Sequence, residues 1–311
     1  MVKRHNTAWP KMPGMHKLSS RQWTVLVLLT IVWGINWPIM KAGVTGFPPL
    51  TFRMLCLWLG TPVLGLALLA MRVPFRIGRE HWRELLVLAV FNMFIWHGLI
   101  IIAVQSLSSG RAAILGYTMP MFSAVLGALV FGERLASRAW AGVGAATLGV
   151  VLLLWHEFTH LSGKPLGVLL ALLAALAWAH GTQLMRRTRM TVPTLTIAFW
   201  MVTFTLVFMA LFALAFETSR WKMPSTPQMG AILYNAFGVF VFSQAAWLSL
   251  ARHLPPVAST LSVMFIPILG VFSGAWWLQE KLHWQDWAAV ALIVVAIASV
   301  LWPTRTAEGK A

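Results

Sequence analysis

The sequence predicts an all-α integral membrane protein with ten transmembrane helices, arranged as two inverted five-helix repeats. Three observations lead to this prediction. The chain of 311 residues is 59% hydrophobic and only 10% charged, whereas soluble domains carry about 25% charged residues. It contains a series of apolar runs close to the length of about 20 residues that crosses a bilayer. Finally, its two halves repeat one another at a nearly constant offset.

The repeat is marked by residue types that are uncommon in proteins. The pairs Pro120 and Pro267, Gly127 and Gly274, Glu133 and Glu280, Leu135 and Leu282, and Trp140 and Trp287 share one interval (267 − 120 = 147). Trp33 and Trp178 follow at nearly the same interval (178 − 33 = 145). An odd number of spans in each unit gives the two copies opposite orientations, which is typical of transporters.

Run length defines each predicted element in turn, and it favours helices because barrel strands need only about 10 alternating residues. The first repeat, predicted for residues 22–155, has spans at 22–41, 48–71, 83–105, 111–132 and 138–155. The second, predicted for residues 165–302, has spans at 165–185, 193–216, 229–251, 256–279 and 284–302. Residues 1–21 and 303–311 are expected to be cytoplasmic tails. The first run is too long for a signal peptide, so it is interpreted as an uncleaved span.

The net charge of +16 is explained by membrane topology better than by nucleic-acid binding, which is disfavoured. With the N-terminus in the cytoplasm, 17 of the 24 Lys and Arg residues fall on that side and 6 on the other, while Arg53 lies within a span. Short cytoplasmic loops are rich in Lys and Arg. Both termini are therefore predicted to be cytoplasmic, with the excess charge contacting anionic membrane lipids.

Polar side chains inside the spans are the candidates for substrate binding, because such groups are costly in a membrane. Arg53 lies five residues into the second span and either extends to the headgroups or faces the interior as a carboxylate anchor. Asn36, Gln105 and Arg111 are expected in the same outer layer, which fits a binding vestibule or a solvated rim.

Two histidines and several amides complete the candidate binding set. His97 is predicted in the middle of the third span and His180 near the inner end of the sixth; they are the candidates if transport is linked to protons. The other polar candidates are Asn92, Tyr117, Gln183, Asn235 and Gln244. Each of these side chains either contacts substrate or forms a hydrogen bond between helices.

Aromatic, proline and small residues suggest how the spans are shaped. Trp33 and Trp178 could stack on an apolar substrate and, as repeat equivalents, face each other across the internal two-fold axis. Pro120 and Pro267 are expected to kink their helices and to line a cavity or serve packing. Gly142 and Ala146, by contrast, are four residues apart, a spacing of small residues that permits close helix packing. This packing is expected within the bundle or at a homodimer interface.

Catalytic and cofactor sites are not predicted. All eight Asp and Glu residues lie at span ends or in loops, and the sequence has no metal-ligand cluster, phosphate-binding loop or nucleophile–base arrangement. ATP-driven pumping by this chain alone is thus excluded and an enzyme is disfavoured. The single cysteine, Cys56, permits no internal disulfide.

Specific segments resemble the EamA family of the drug/metabolite transporter superfamily. The segments are 32–41 (VWGINWPIMK), 49–53 (PLTFR), and the proline-to-glutamate stretches 120–135 and 267–282. The resemblance implies a secondary transporter of the bacterial inner membrane with a central cavity. It implies that Arg53 is the family's second-span arginine and that Glu133 and Glu280 are structural, repeat-closing residues beside Arg134 and Lys281.

The chain departs from this pattern in its second half, where Ala198 occupies the position of a second arginine and Gln279 that of a glycine. The predicted function is export of small organic metabolites, such as amino acids, by alternating access. The predicted partners are this substrate and membrane lipids. A membrane-embedded lipid-handling enzyme and a channel are the alternatives.

Overall fold

A computed structural model describes residues 19–133, 135, 137–159, 164–251 and 256–301. Within these ranges the backbone is helical apart from short connections, and no residue lies in a β-strand. The helical segments are α1 (Ser20–Val44), α2 (Pro49–Ala70), α3 (Arg79–Ser106), α4 (Ser109–Leu129), α5 (Ser137–Thr159), α6 (Pro165–Met185), α7 (Thr194–Phe216), α8 (Thr226–Leu233, Tyr234–Ser243 and Gln244–Ala251), α9 (Pro256–Trp277) and α10 (Trp284–Leu301). The all-helical prediction is confirmed.

Seven of these segments, among the described residues, are long and apolar enough to cross a membrane: α1 to α4 and α6 to α8. Three shorter apolar helices, Ser137–Leu153, Ser262–Trp277 and Trp284–Val300, lie within α5, α9 and α10. The chain is therefore a multi-pass membrane protein, since helices satisfy their own backbone hydrogen bonds in lipid. The count of ten spans requires the three shorter helices to cross as well, and it stays a prediction.

Prolines begin several helices, because proline has no N–H to lose in the first turn. Pro49 and Pro165 are the first residues of α2 and α6, and Pro193 immediately precedes α7. The start of α1 is fixed differently. The backbone N–H of Ser19 donates to the Gln22 side chain at 2.9 Å, and the Gln22 N–H donates to the Ser19 hydroxyl at 3.3 Å.

The two matched prolines have different local effects. Pro120 is the second residue of Met119–Leu129, and the helix is interrupted just before it at Tyr117 and Thr118. The Thr118 hydroxyl donates to the carbonyl oxygen of Leu115 at 2.6 Å, which satisfies an acceptor at this break. Pro267, in contrast, lies inside α9, which continues through it.

Two π-helical segments occur at equivalent places in the halves. Ala89–Ile95 forms the middle of α3, and Tyr234–Ser243 forms the middle of α8. Their starts are 145 residues apart (234 − 89 = 145), the interval that also separates Trp33 from Trp178. Such segments are uncommon and are frequent at functional sites.

The helices of the two halves are interleaved. The first half packs against the second in the pairs α5 with α10, α1 with α9, α2 with α7, and α3 with α6. Small residues permit the close approach. A Cβ atom on Gly142 of α5 would lie within 3.0 Å of the Ala296 carbonyl oxygen of α10, so Gly142 serves packing inside the bundle.

Candidate functional site

Arg53 is buried in the interior of the bundle, with 1% of its surface exposed. Its Nη1 donates to Oδ1 of Asn235 at 3.3 Å, and its Nη2 contacts the Met40 sulfur at 3.0 Å. Its guanidinium carbon lies 5.5 Å from the ring centre of Phe240. Arg53 thus faces the interior and does not extend to the headgroups. These partners are an amide, a thioether and a ring, and none of them neutralises the charge of Arg53.

Asn235 is held where it can meet Arg53 by its place in the π-helical segment of α8. Its side chain is fully buried, and its Nδ2 donates to the carbonyl oxygen of Ala231 one turn earlier, at 3.1 Å. This bond orients Oδ1 toward the guanidinium. The sequence indicates Asn235 as a polar group in a span but gives no sign that Arg53 is its partner.

Several buried polar atoms in the first half of the chain have no protein partner. Among the described residues these are Nε of Arg53, Oδ1 of Asn36, Nδ1 of His97 and Oγ1 of Thr61. All four residues belong to α1, α2 or α3. Because buried polar groups in proteins are nearly always hydrogen-bonded, a set of free ones on neighbouring helices provides groups for a polar ligand.

His97 and Asn36 are linked to Arg53 through shared neighbours. The His97 ring lies 5.1 Å from the ring of Phe240, which also contacts Arg53. Asn36 precedes Met40 by one helical turn on α1, and residues so spaced share a helix face. We name the group Asn36, Met40, Arg53, His97, Asn235 and Phe240 the Arg53 cluster; it joins α1, α2, α3 and α8.

A separate, largely open cavity of about 470 Å³ lies between α3, α4 and α6. Its lining is apolar except for His180: Phe91, Ile95, Leu99, Leu126, Leu173, Leu176, Ala177 and His180. The imidazole of His180 lies edge-on to Phe91 at 4.9 Å between ring centres and is stacked on Phe131 at 6.4 Å. The cavity suits an apolar group with one hydrogen-bonding atom.

The tryptophan candidates occupy different surroundings. Trp33 packs against Trp247 of α8, with ring centres 5.7 Å apart. Trp178 accepts a hydrogen bond at its backbone oxygen from Asn92, at 3.4 Å. In the described part of the chain no ring contact joins Trp33 to Trp178, so the structure does not bring the two together.

The remaining polar candidates differ in the contacts that they make with other residues of the protein. Gln183 donates to the Ser123 carbonyl oxygen at 2.6 Å and so ties α6 to α4. Tyr117 lies at the break in α4, with its ring 6.3 Å from that of Trp37. Gln244 is half-buried where the π-helical segment of α8 ends. Of the candidate set, Asn235 contacts Arg53 directly and His97 shares the neighbour Phe240 with it. Asn36 lies one helical turn from Met40, which contacts Arg53.

The end of the bundle at which α2 and α4 begin is closed by side chains; we call it the capped end. Gln105 donates to the backbone oxygens of Val44 and Phe47 at 3.3 and 3.2 Å. Nε of Arg111 donates to Oδ1 of Asp286 at 2.7 Å, and these side chains are 12% and 3% exposed. Gln105 and Arg111 thus bind other parts of the protein at this end.

The two repeat-closing glutamates have partners in the opposite half of the chain. Glu280 accepts hydrogen bonds at the start of α4, from the Ser109 N–H at 2.7 Å and from the Ser109 hydroxyl at 2.9 Å. Glu133 lies at the other end of the bundle and accepts from Nη2 of Arg187 at 2.6 Å. Arg134, the expected neighbour of Glu133, lies outside the described residues.

Glu217 is a buried carboxylate whose role the sequence reasoning missed. It follows α7 and is 1% exposed. It accepts hydrogen bonds from the N–H groups of Leu50 and Thr51 at 3.2 and 2.7 Å, and from the Thr51 hydroxyl at 2.8 Å. Its position at a span end is visible in the sequence, but its partners 166 and 167 residues away are not.

Metal ligands are a poor explanation for these groups. No set of three or more His, Cys, Asp or Glu side chains in the described ranges is placed to hold a metal ion. The arrangement offers instead a buried guanidinium, free amide and imidazole atoms, and an apolar cavity. Such a combination binds small organic molecules by shape and hydrogen bonding.

The sequence profile of the EamA-like transporter family matches residues 22–155 and 165–302. The chain belongs to this family. This EamA-like protein is 25% identical over 264 residues to YoaV of Bacillus subtilis (strain 168), described as an uncharacterized transporter, with 84% of this chain and 88% of YoaV covered. It is 28% identical over 281 residues to YedA of Escherichia coli (strain K12), described as an uncharacterized inner membrane transporter, with 88% and 89% covered.

A third relative, also from Escherichia coli (strain K12), is described as a probable amino-acid metabolite efflux pump; it is 26% identical over 301 residues, covering 90% of this chain and 94% of the relative. A crystal structure with 22% identity superposes with a TM-score of 0.64 over 90% of this chain and 97% of the other, which shows a shared fold. The EamA-like protein is therefore a membrane transporter of small molecules and not an enzyme.

Proposed function

We propose that this EamA-like protein exports small organic metabolites carrying a carboxylate, amino acids among them, by alternating access across the bacterial inner membrane. The single observation that carries the substrate class is the buried Arg53, whose Nε has no protein partner. A buried charge without a counter-ion is costly. A carboxylate is the planar anion that best matches the guanidinium donors.

The proposed architecture is two inverted five-helix repeats, 22–155 and 165–302, that form ten spans. The matched sequence pairs and the equally spaced π-helical segments support it. The two repeat-closing glutamates, Glu133 and Glu280, support it further. A Cβ on Gly127 or Gly274 would lie 2.5 or 2.6 Å from the carboxylate of Glu133 or Glu280, so each half folds its glutamate over its own glycine.

The proposed substrate site divides the polar and apolar parts of the ligand. Arg53 and Asn36 bind the carboxylate and a second polar group, while Asn235 keeps the guanidinium in place. Trp33, Trp178 and the cavity at His180 are proposed to accept the apolar part at separate places along the transport path. Tyr117, Gln183 and Gln244 complete the proposed contacts, and Pro120 and Pro267 shape the helices around them. His97 and His180 are the groups that would carry a proton if export is proton-linked.

Efflux in one relative gives independent support for this substrate class. That protein is described as a probable amino-acid metabolite efflux pump and is covered over 94% of its length. This description makes amino acids the first compounds to test on this chain.

The test compares acids with the amines that lack the carboxyl group. Purified protein is first screened by thermal shift against the natural amino acids, and each compound that binds is followed by counterflow in proteoliposomes. We expect Arg53→Ala to weaken binding of the acid by about tenfold to a hundredfold, because a hydrogen bond to a charged group contributes about 1.5–3 kcal/mol. Binding of the matching amine should be unchanged by this substitution.

Arg53→Lys is the control, because it keeps the charge but loses the two-pronged donor geometry; it should lie between the wild type and Arg53→Ala. Equal binding of acid and amine by the wild type would contradict the role of Arg53. Saturable counterflow would distinguish a carrier from a channel. Unchanged pH dependence of uptake after replacing both His97 and His180 would remove the proton link.

A further inference from the structure

The capped end of the bundle is held closed by carboxylates that cross between the two halves. Glu217 follows α7 of the second half and binds the start of α2 in the first half. Glu280 follows α9 of the second half and binds the start of α4 in the first half. Each glutamate binds a backbone N–H together with the hydroxyl of the same residue, Thr51 or Ser109.

These contacts use groups that a helix leaves free. The first N–H groups of a helix have no partner within it, and the helix dipole favours a negative charge there. The same N–H groups and carboxylates can be hydrated when the end opens to water. The N–H groups and the carboxylates therefore have hydrogen-bond partners both when the end is closed, from each other, and when it is open, from water.

The contacts of Glu217 bear directly on Arg53. Thr51 is held by three hydrogen bonds, because its N–H and hydroxyl donate to Glu217 and its hydroxyl accepts from Nε1 of Trp221 at 2.9 Å. Arg53 follows only two residues later in the first turns of the same helix. Movement of Glu217 away from α2 would displace the start of this helix and the guanidinium with it.

The other end of the bundle is different. The side chains of its carboxylate bridge between the halves, Glu133 with Arg187, are 38% and 33% exposed. At the capped end the side chains of Glu217 and Asp286 are 2% and 3% exposed, and Glu280 is half-buried. The cavity at His180 also lies toward this other end, since Leu126 and His180 are close to the last residues of α4 and α6. The capped end thus has the more buried carboxylate contacts, and the cavity at His180 lies toward the other end.

We propose that Glu217 and Glu280 form a latch that closes the capped end, and that Glu217 is a positioning residue for Arg53. Release of both glutamates opens this end during the transport cycle. The proposal rests on the alternating access proposed above. It states that the two halves separate where Glu217 and Glu280 bind the first residues of α2 and α4. Substrate bound at Arg53 is thereby coupled to closure through the helix turn that holds both Arg53 and Thr51, which are separated by Phe52 alone.

The latch can be tested by thiol labelling, which needs no knowledge of the substrate. Cys56 is replaced by Ala, and Val44→Cys places a reporter at the capped end, where Val44 is fully buried. The full-length protein is purified in detergent and reacted with a hydrophilic maleimide. We expect Glu217→Gln and Glu280→Gln each to raise the labelling rate about tenfold, which corresponds to about 1.4 kcal/mol, because each weakens charge-assisted hydrogen bonds.

Glu133→Gln is the matched control, because it removes a carboxylate that also bridges the halves but at the opposite end. It should leave the labelling rate within about twofold of the wild type, a difference of under about 0.5 kcal/mol. The Tm of each variant is measured alongside. A latch gives faster labelling with the two capped-end variants alone. A merely structural role predicts that labelling follows the loss of Tm in all three, or does not change.

The outcome separates the latch from the proposed function. Equal labelling in all variants would remove the latch while leaving acid binding at Arg53 intact. Conversely, a failure of acids to bind would leave the labelling result unaffected, because the reporter reads only the opening of the capped end.

Discussion

Two backbone positions with the same conformation but different residues follow α4 and α9. Gly132 has φ of 69° and Gln279 has φ of 53°, and the two residues occupy equivalent places in the repeat. The turn is the same in both, because the N–H of the next glutamate donates to the carbonyl oxygen of Gly127 at 2.9 Å or of Gly274 at 3.4 Å. The left-handed region is open to glycine and strained for other residues.

Gln279→Gly is therefore expected to stabilise the protein. The left-handed conformation costs a residue with a Cβ roughly 1–2 kcal/mol, and the greater freedom of glycine in the unfolded chain offsets part of this gain. A net rise in Tm of a few degrees, corresponding to about 0.5–1 kcal/mol, should be seen in a thermal unfolding experiment. Gly132→Gln is the mirror variant and should lower Tm; a fall in both would contradict the argument.

At the scale of helices, the ion pairs between elements differ in burial and so should differ in strength. Arg111 of α4 and Asp286 of α10 are 12% and 3% exposed. The Asp286 carboxylate also accepts from the backbone N–H of His283 at 2.8 Å. Glu133 and Arg187 are 38% and 33% exposed, which places them in solvent-screened surroundings.

Asp286→Ala should destabilise the protein by about 1.5–3 kcal/mol, because it removes a largely buried, charge-assisted contact with Arg111 and the hydrogen bond from the His283 N–H. Glu133→Ala should cost less than about 1 kcal/mol, and raising the salt concentration should reduce that cost further. Both variants are compared by thermal unfolding in detergent at low and high salt. A larger loss from Glu133→Ala than from Asp286→Ala would contradict this ranking.

The sequence predicts these helices well, but it does not predict the π-helical segments within them or the contacts between them. Run length and apolar composition are enough to predict helices, because lipid leaves the backbone few alternatives. The π-helical segments are not predicted, since in a uniformly apolar run no polar face reveals a change of period. The partners of Glu217 and Glu280 depend on how two distant halves pack, and no local pattern encodes that.

For the candidate site, too, the sequence identifies the residues but not their partners. Residue type and depth select Arg53, Asn36, His97 and Asn235, because polar groups are rare and costly in the spans. The structure adds that they share one interior region, while Gln183 and Gln105 are bound to other helices. It also places Trp33 against Trp247. A side chain's partner on another helix depends on helix rotation, which one sequence alone leaves open.

At the scale of the whole molecule, the number of spans determines where the ends of the chain lie. The described residues contain seven helices that meet the length criterion and three shorter apolar ones in α5, α9 and α10. Seven crossings would place the two ends on opposite sides of the membrane, and ten would place them on the same side. The excess of Lys and Arg on one set of connections, 17 against 6, favours ten, with both ends in the cytoplasm.

Reporter fusions at the two ends of the chain test this directly. A fluorescent protein that folds only in the cytoplasm and a phosphatase active only outside it are fused in turn to each end. We expect fluorescence and no phosphatase activity at both, because α5, α9 and α10 must cross for the halves to be inverted copies. A phosphatase inserted after Lys222, on the predicted outer side, is the positive control and should be active. Ends on different sides would require an odd number of crossings, and the inverted architecture would then be wrong.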